Sequence, residues 1–405
     1  MSLVARRLSV IKPSPTLAVS AKAAKLKAEG KDVIAMGAGE PDFDTPEFIK
    51  DAAIAAIRKG FTKYTPAGGT PSLKKAIIAK FKRDNGLDYT DRQILVSCGG
   101  KQTSFNLCMA LLNDGDEAII PAPYWVSYPD MAMMANGKPV SIAAGIEQGF
   151  KITAQQLERA ITPRSRLIWI NSPSNPTGSV YTADELKALG EVLRKHPNIV
   201  IATDDMYEHI LLNGSKFVNI VNVCPDLYSR TVVMNGVSKA YSMTGWRIGY
   251  CGGPQELIDA MENVQSHSTS NPTSISQYAA EAALNGDQSC MDPMLAAFKE
   301  RAKVVTDGLN RIPGVKCLMP DGAFYSFPDC REAIRKLHAA GRIATPTDLA
   351  LCDYLLAQEK AVAAVPGSAF GAEGYLRISF ATSMENIKKA VERMAIAIDP
   401  ALVTA

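Results

Sequence analysis

The stretch RLIWINSPSNPTGSVYTADELKALGEVLRKHPNIVIATDD, residues Arg166–Asp205, decides the fold class. It opens with the β-rich run Arg166–Asn171, crosses a Pro- and Gly-containing loop and a helical pattern, and ends in the apolar run Asn198–Thr203. Strand, helix, strand in that order is the signature of a parallel sheet wrapped by helices. The alternation extends to both sides, with strands predicted at Gln93–Ser97, Glu117–Ile120, Pro139–Ile142, Arg230–Asn235 and Arg247–Cys251. Two helices ahead of them have legible ends. Thr45 reads as an N-cap with Pro46 at the first helical position, Ile49, Ala53 and Ile57 on one face and Gly60 past the end. Thr70 and Pro71 open the second, which carries Leu73, Ile77 and Phe81.

The pattern changes near Met291. A long helical stretch precedes two short predicted strands, Val315–Met319 and Ala323–Phe327, then a helix, two further strands and a closing helix from Ser383. This is the pattern of a smaller α+β unit. A helix over Thr16–Glu29 and a strand over Asp32–Met36 have no sheet partner nearby in sequence and are assigned to it. The expected fold class is therefore α/β. Residues 1–13 form an arm, 46–290 a large domain with a mostly parallel sheet flanked by helices, and 14–45 with 291–405 a small α+β domain.

Composition narrows the function. The 405 residues carry 44 Lys+Arg and 41 Asp+Glu, a net charge of +3 without runs, which argues against nucleic acid or an anionic membrane as partner. Hydrophobic content of 47% is ordinary for a globular chain. The eight cysteines include no C-x-x-C pair and the four histidines lie far apart, so no metal site is expected. No stretch approaches the ~20 apolar residues of a membrane helix, and MSLVARRLSVIKPSP has no apolar run of the signal-peptide kind. These features predict a cytoplasmic protein with reduced cysteines.

The chemistry starts at NGVSKAYSMTGWRIGY, Asn235–Tyr250, which places Ser238 and Lys239 in a turn after a buried strand. A lysine at the end of a core strand loses solvation, which lowers its pKa and frees the amine for Schiff-base chemistry. The run S-K-A-Y-S-M-T-G-W-R-I-G-Y resembles the pyridoxal-phosphate lysine motif S-K-x-x-x-x-x-G-x-R-x-G of the class I aminotransferases. The likeness runs from GAGEPDFDTP to YLRISFATS and is nearest to the prokaryotic aspartate aminotransferase branch, which implies fold type I.

Five other segments agree with the resemblance. SCGGKQTSF presents Gly99, Gly100 and Lys101 where a strand gives way to a helix, a cradle for an anion. It departs from a nucleotide P-loop, since Gln102 follows the lysine and the first glycine is missing. The resemblance makes the anion the phosphate of pyridoxal 5'-phosphate, anchored also by Arg247 and Ser238. IATDDMYEHI places Asp204 at the mouth of an apolar strand, where a carboxylate must be paired. By resemblance Asp204 holds the cofactor's pyridine nitrogen protonated and Tyr207 bonds the ring hydroxyl, while Asp205 replaces the usual glutamate and receives no role. In the stiff loop NSPSNPTG, Asn175 is implied to contact cofactor and substrate carboxylate; Trp125, in PYW, offers an indole face for stacking.

Arg377, in the strand YLRISF, offers a planar fork to a carboxylate. The resemblance makes it the clamp for the substrate's α-carboxylate, with Gly39 of GAGEPDF approaching the same group. Tyr64 of KYTPAGG is implied to reach a partner subunit's phosphate site, and the polar stretch Ser266–Asn271 falls where the partner-contact loop lies, so a homodimer with shared sites is expected. Lys101 and Lys12 are candidates for the distal carboxylate of an acidic substrate. The expected reaction moves the amino group of L-aspartate to 2-oxoglutarate by a ping-pong route. Prephenate as acceptor, an aromatic or alanine aminotransferase, and a non-catalytic ligand-binding module are the alternatives.

Overall fold

Strands form at all seven positions predicted between residues 93 and 251, within two residues of their predicted ends. The computed structural model describes residues 3–11 and 13–399. Its strands are β1 (Asp32–Ala35), β2 (Ile94–Ser97), β3 (Glu117–Ala122), β4 (Lys138–Ala143), β5 (Ser165–Asn171), β6 (Val200–Asp204), β7 (Thr231–Gly236), β8 (Gly249–Gly252), β9 (Tyr325–Ser326), β10 (Lys360–Ala363), β11 (Val365–Pro366) and β12 (Leu376–Ser379). Seven of them make one sheet in the order β2-β8-β7-β6-β5-β3-β4, in which β8 alone runs opposite to the other six.

Alternation along each strand feeds two cores. Ile94 and Val96 of β2, Ile168 and Ile170 of β5 and Val233 of β7 pack on one face. Leu95, Leu167, Trp169, Val232 and Met234 pack on the other. A sheet buried on both faces by helices is what near-continuous apolar runs specify, and each such aliphatic side chain contributes about 1.5–3 kcal/mol on burial. A third core gathers around the helix Asp292–Leu309 and includes Phe298, Phe324, Leu376 and Phe380. The orphan strand β1 finds its partner 328 residues later, pairing in parallel with β10 from Asp32↔Lys360 onward.

Three expectations are corrected. Thr45 does not cap the helix, which starts at Glu47 after Pro46; its hydroxyl instead donates to the Ser242 carbonyl at 2.7 Å and accepts from Trp246 Nε1 at 3.0 Å. Tertiary partners outcompeted the local cap. Val315–Met319 forms no strand, because the Asn310 side chain takes both the N–H and the carbonyl of Cys317, leaving a single bridge from Lys316 to Asp329. The one helix predicted after Phe327 is two, Arg331–Ala339 and Asp348–Ala357, the second capped by Thr347.

Candidate active site

Parallel strands all end on the same edge of a sheet, and open α/β sheets bind ligands in the crevice outside those carboxyl ends. Here β2 leads into Gly99–Lys101, β3 into Trp125, β5 ends at Asn171, β6 ends at Asp204 and β7 leads into Ser238 and Lys239. Because β8 runs the other way, Arg247 just before it joins the same edge. A cavity of about 510 Å³ opens there and contains Gly39, Gly100, Lys101, Trp125, Asn175, Asp204, Tyr207, Ser238, Lys239, Arg247 and Arg377 in its wall. Eleven predicted site residues, drawn from positions 39 to 377, thus line one cavity.

Lys239 Nζ donates to the carbonyl of Gly39. Its pKa is pushed down to about 8, first by burial and then by the charges of Arg377 and Arg247, against the opposing pull of Glu40 and Asp204. Asp204 is the last residue of β6 and pairs in register with Asn171. Its carboxylate accepts from the Tyr128 hydroxyl at 2.5 Å and from the Met206 N–H at 3.3 Å, while burial pushes its pKa up. Tyr207 is buried, its hydroxyl 2.9 Å from that of Tyr325.

Arg377 brings a buried positive charge to the cavity wall. It is 2% exposed, donates to Asn175 Oδ1 at 3.0 Å and the Gly37 carbonyl at 2.7 Å, and among the described residues its Nε has no partner. Tyr325 and Phe370 lie beneath the guanidinium at 4.7 and 5.0 Å from their ring centres. Its recorded hydrogen bonds are to neutral oxygens, and a buried cation without an anion leaves desolvation uncompensated. The Asn175 loop is itself fixed, with Asn171 accepting from the Asn175 N–H at 2.8 Å and donating to the Asp204 carbonyl at 2.9 Å.

At the other end, Gly99 has φ +92° and a Cβ there would come within 2.3 Å of Arg247 Nη2, so glycine is required for the turn and the guanidinium to meet. The helix Gly100–Leu111 starts at this turn and aims its N-terminus at the cavity. Arg247 donates to the carbonyls of Thr244 and Cys98, and Lys101 Nζ sits 5.2 Å over the Trp125 ring. Burial and Arg247 lower the pKa of Lys101. These groups could hold a dianionic phosphate.

Of the other predicted site residues, Gly99 borders Arg247 without lining the cavity. Tyr64 is 91% exposed and lies outside the cavity, and Lys12 falls outside the described residues. Asp205 points away from the cavity, accepting from Asn219 at 2.6 Å. Sequence reasoning missed Tyr128, Tyr325 and Asn171. Tyr128 could have been suspected from its place three residues after Trp125, and Tyr325 from alternation in GAFYSF. Asp84, Glu208 and His209 approach one another closely enough to hold a metal ion, but the Lys80 ammonium bonds Glu208, and His209, whose pKa burial would lower but Asp84 and Glu208 push up to about 9, supplies the second positive charge that offsets the two carboxylates.

This sheet and cavity define an aminotransferase of fold type I: the sequence profile of the aminotransferase class I and II family matches residues 31–394, and the chain belongs to that family. More particularly, it is 66% identical over 393 residues to the aspartate/prephenate aminotransferase of Nitrosomonas europaea, spanning 97% of this chain and 98% of that protein. The crystal structure of the Rhizobium meliloti aspartate aminotransferase superposes with a TM-score of 0.93 at 51% identity, covering 98% of this chain and 99% of that one. The aspartate aminotransferase from Thermus thermophilus with maleate gives 0.90 at 42% identity, covering 98% and 100%.

Proposed function

We propose that this aminotransferase moves the amino group of L-aspartate to 2-oxoglutarate, forming oxaloacetate and L-glutamate, with pyridoxal 5'-phosphate as cofactor and prephenate as a second acceptor. The observation that carries it is the buried guanidinium of Arg377, hydrogen-bonded among the described residues to neutral oxygens, lining one cavity with a desolvated lysine. The residues present fit the cofactor: the cradle that a Cβ at Gly99 would fill would take its phosphate, and Asp204 would meet its ring nitrogen, Tyr207 its ring hydroxyl and Trp125 its face. When bound, the cofactor supplies an aldehyde for the amino group and a protonated ring that draws electrons from the substrate's Cα.

The chain's own residues then divide the work. Arg377 and Asn175 hold the α-carboxylate, which orients the Cα bond to be broken. Lys239 Nζ takes the proton from Cα, a task suited to an amine with a pKa of about 8. Asp204 balances the positive charge of the ring nitrogen. Lys101, at the rim, and Lys12 meet the distal carboxylate of a dicarboxylic substrate; the relative solved with maleate, a four-carbon dicarboxylate, supports this. The printed names of relatives such as that of Nitrosomonas europaea support prephenate.

We read the working form as a homodimer, since Tyr64 has no place in its own chain's cavity, and retain the division into residues 1–13, 46–290, and 14–45 with 291–405. Eight free cysteines support a reducing, cytoplasmic setting, and among the described residues no helix is long and apolar enough to cross a membrane. The test is half-reaction absorbance spectroscopy with aspartate, alanine, phenylalanine and prephenate in wild type, Lys101→Ala and Lys12→Ala. Loss of one charge-assisted contact should lower kcat/KM about 10- to 150-fold for aspartate and much less for alanine. Alanine or phenylalanine as the better wild-type donor would overturn the aspartate assignment.

A further inference from the structure

Tyr128 makes the shorter of the two hydrogen bonds that reach the Asp204 carboxylate. It lies in the helix Ser127–Met134 and is 1% exposed. The phenol oxygen donates to Asp204 Oδ2 at 2.5 Å, while Oδ1 receives the Met206 N–H at 3.3 Å. The phenol ring stacks on Trp169, with centroids 4.8 Å apart and 18° between planes, and meets Trp125 edge-on at 5.3 Å. A flip of this ring about its own axis leaves the oxygen in place, so packing against the two indoles fixes where the donor points.

Asp204 needs such a donor. Burial favours its neutral form, and the groups that act on it through space are Lys239, whose charge favours ionisation, and Asp205 and Tyr207, which add no positive charge. Of the remaining stabilisers the Tyr128 hydrogen bond is the larger, ahead of the Met206 N–H. The Tyr128 hydroxyl is held well above its usual range by burial and by Asp204 itself, so it remains a donor at any working pH.

We propose that Tyr128 is a positioning residue of this aminotransferase, whose hydroxyl holds the Asp204 carboxylate in its charged form at the wall of the cavity. The consequence for catalysis rests on the reading of Asp204 as partner of the cofactor's ring nitrogen; the hydrogen bond itself is independent of that reading. Tyr128→Phe deletes the oxygen and keeps the ring contacts. Trp169→Phe keeps the oxygen and loosens the stack.

The experiment is an infrared pH titration of the apo-protein, with Asp204→Asn identifying the carboxyl band. Tyr128→Phe should raise the pH at which Asp204 takes up a proton by about one unit or more, and Trp169→Phe should raise it by less. In protein loaded with pyridoxal phosphate, Tyr128→Phe should weaken cofactor binding or lower kcat by about tenfold to a hundredfold, the range of one charge-assisted hydrogen bond, with KM for aspartate changed much less. An unshifted Asp204 midpoint in apo Tyr128→Phe overturns the proposal whatever the loaded enzyme does. A wild-type protein that binds no pyridoxal phosphate would instead overturn the functional reading, and the apo titration would still decide the role of Tyr128.

Discussion

Lys239 is a charge held where charge is costly, and that cost is measurable. Its amine has a pKa of about 8 in the folded chain and an ordinary value near 10.4 when unfolded. The unfolded state therefore binds more protons between those values, so the cost this amine imposes on stability is largest below pH 8 and shrinks as pH climbs toward 10. Apo Lys239→Met should melt higher than wild type at pH 7, by at most about 3 kcal/mol at 1.36 kcal/mol per unit, and the difference should fade by pH 10. Calorimetry of both apo-proteins checks this; a gap that widens with pH would mean the amine is not desolvated. This residue was legible because its neighbours form a spaced motif. Tyr128 and Tyr325 were not, since a tyrosine's hydroxyl acquires meaning only from what folds against it, and their partners Asp204 and Tyr207 lie 76 and 118 residues away.

At the scale of elements, the turn after β6 works on two sides. Asp204, Met206 and Tyr207 face the cavity, whereas Glu208 turns into a buried network and accepts from Lys80, from Asn85 Nδ2 at 2.6 Å and from Asn235 Nδ2 at 2.8 Å. Asn235 lies on β7, the strand that leads to Lys239, so the network ties the Asp204 turn to the lysine turn. Lys80 sits on the Leu73, Ile77 and Phe81 stripe, and a lysine on an apolar stripe was the unread signal. Removing one partner strands the other: Glu208→Ala should cost about 3–5 kcal/mol in denaturant unfolding, and a Lys80→Met/Glu208→Leu double variant should recover most of it. A loss no larger than that of breaking the exposed pair Lys389–Glu385 would show the network carries no strain of burial. The central strands were legible because burial on both faces writes a continuous apolar run. The β1–β10 pairing was legible only as a missing partner, and Val315–Met319 misled because a side chain, Asn310, took the backbone bonds that a strand would have used.

For the whole molecule, the question is why an exposed aromatic is held on so rigid a support. The loop after Tyr64 is fixed at every step: Gln277 Nε2 donates to Thr65 Oγ1 at 2.9 Å, Gln265 to the Ala67 carbonyl at 2.7 Å, Glu262 accepts from the Gly68 N–H at 3.0 Å and Gln277 from Thr70 at 2.8 Å. Gln265 and Gln277 are fully buried, yet Tyr64 itself is 91% exposed, and Phe48, Ile54, Ile57 and Phe61 on and after the adjacent helix are partly exposed as well. Ordering a loop costs conformational entropy, and an ordered loop that presents an apolar ring to water gains from a second surface. If that surface is a second copy of the chain, Tyr64 completes the partner's site while Arg377, 2% exposed in its own cavity, serves its own. Mixing Lys239→Ala with Tyr64→Ala protomers then leaves one intact site in each mixed dimer, so activity should return to about a quarter of wild type when half the dimers are mixed. Mixing Lys239→Ala with Arg377→Ala should restore none, because both defects fall on residues of one chain's own site. Equal recovery in both mixtures, or none in the first, would place Tyr64 outside the shared site.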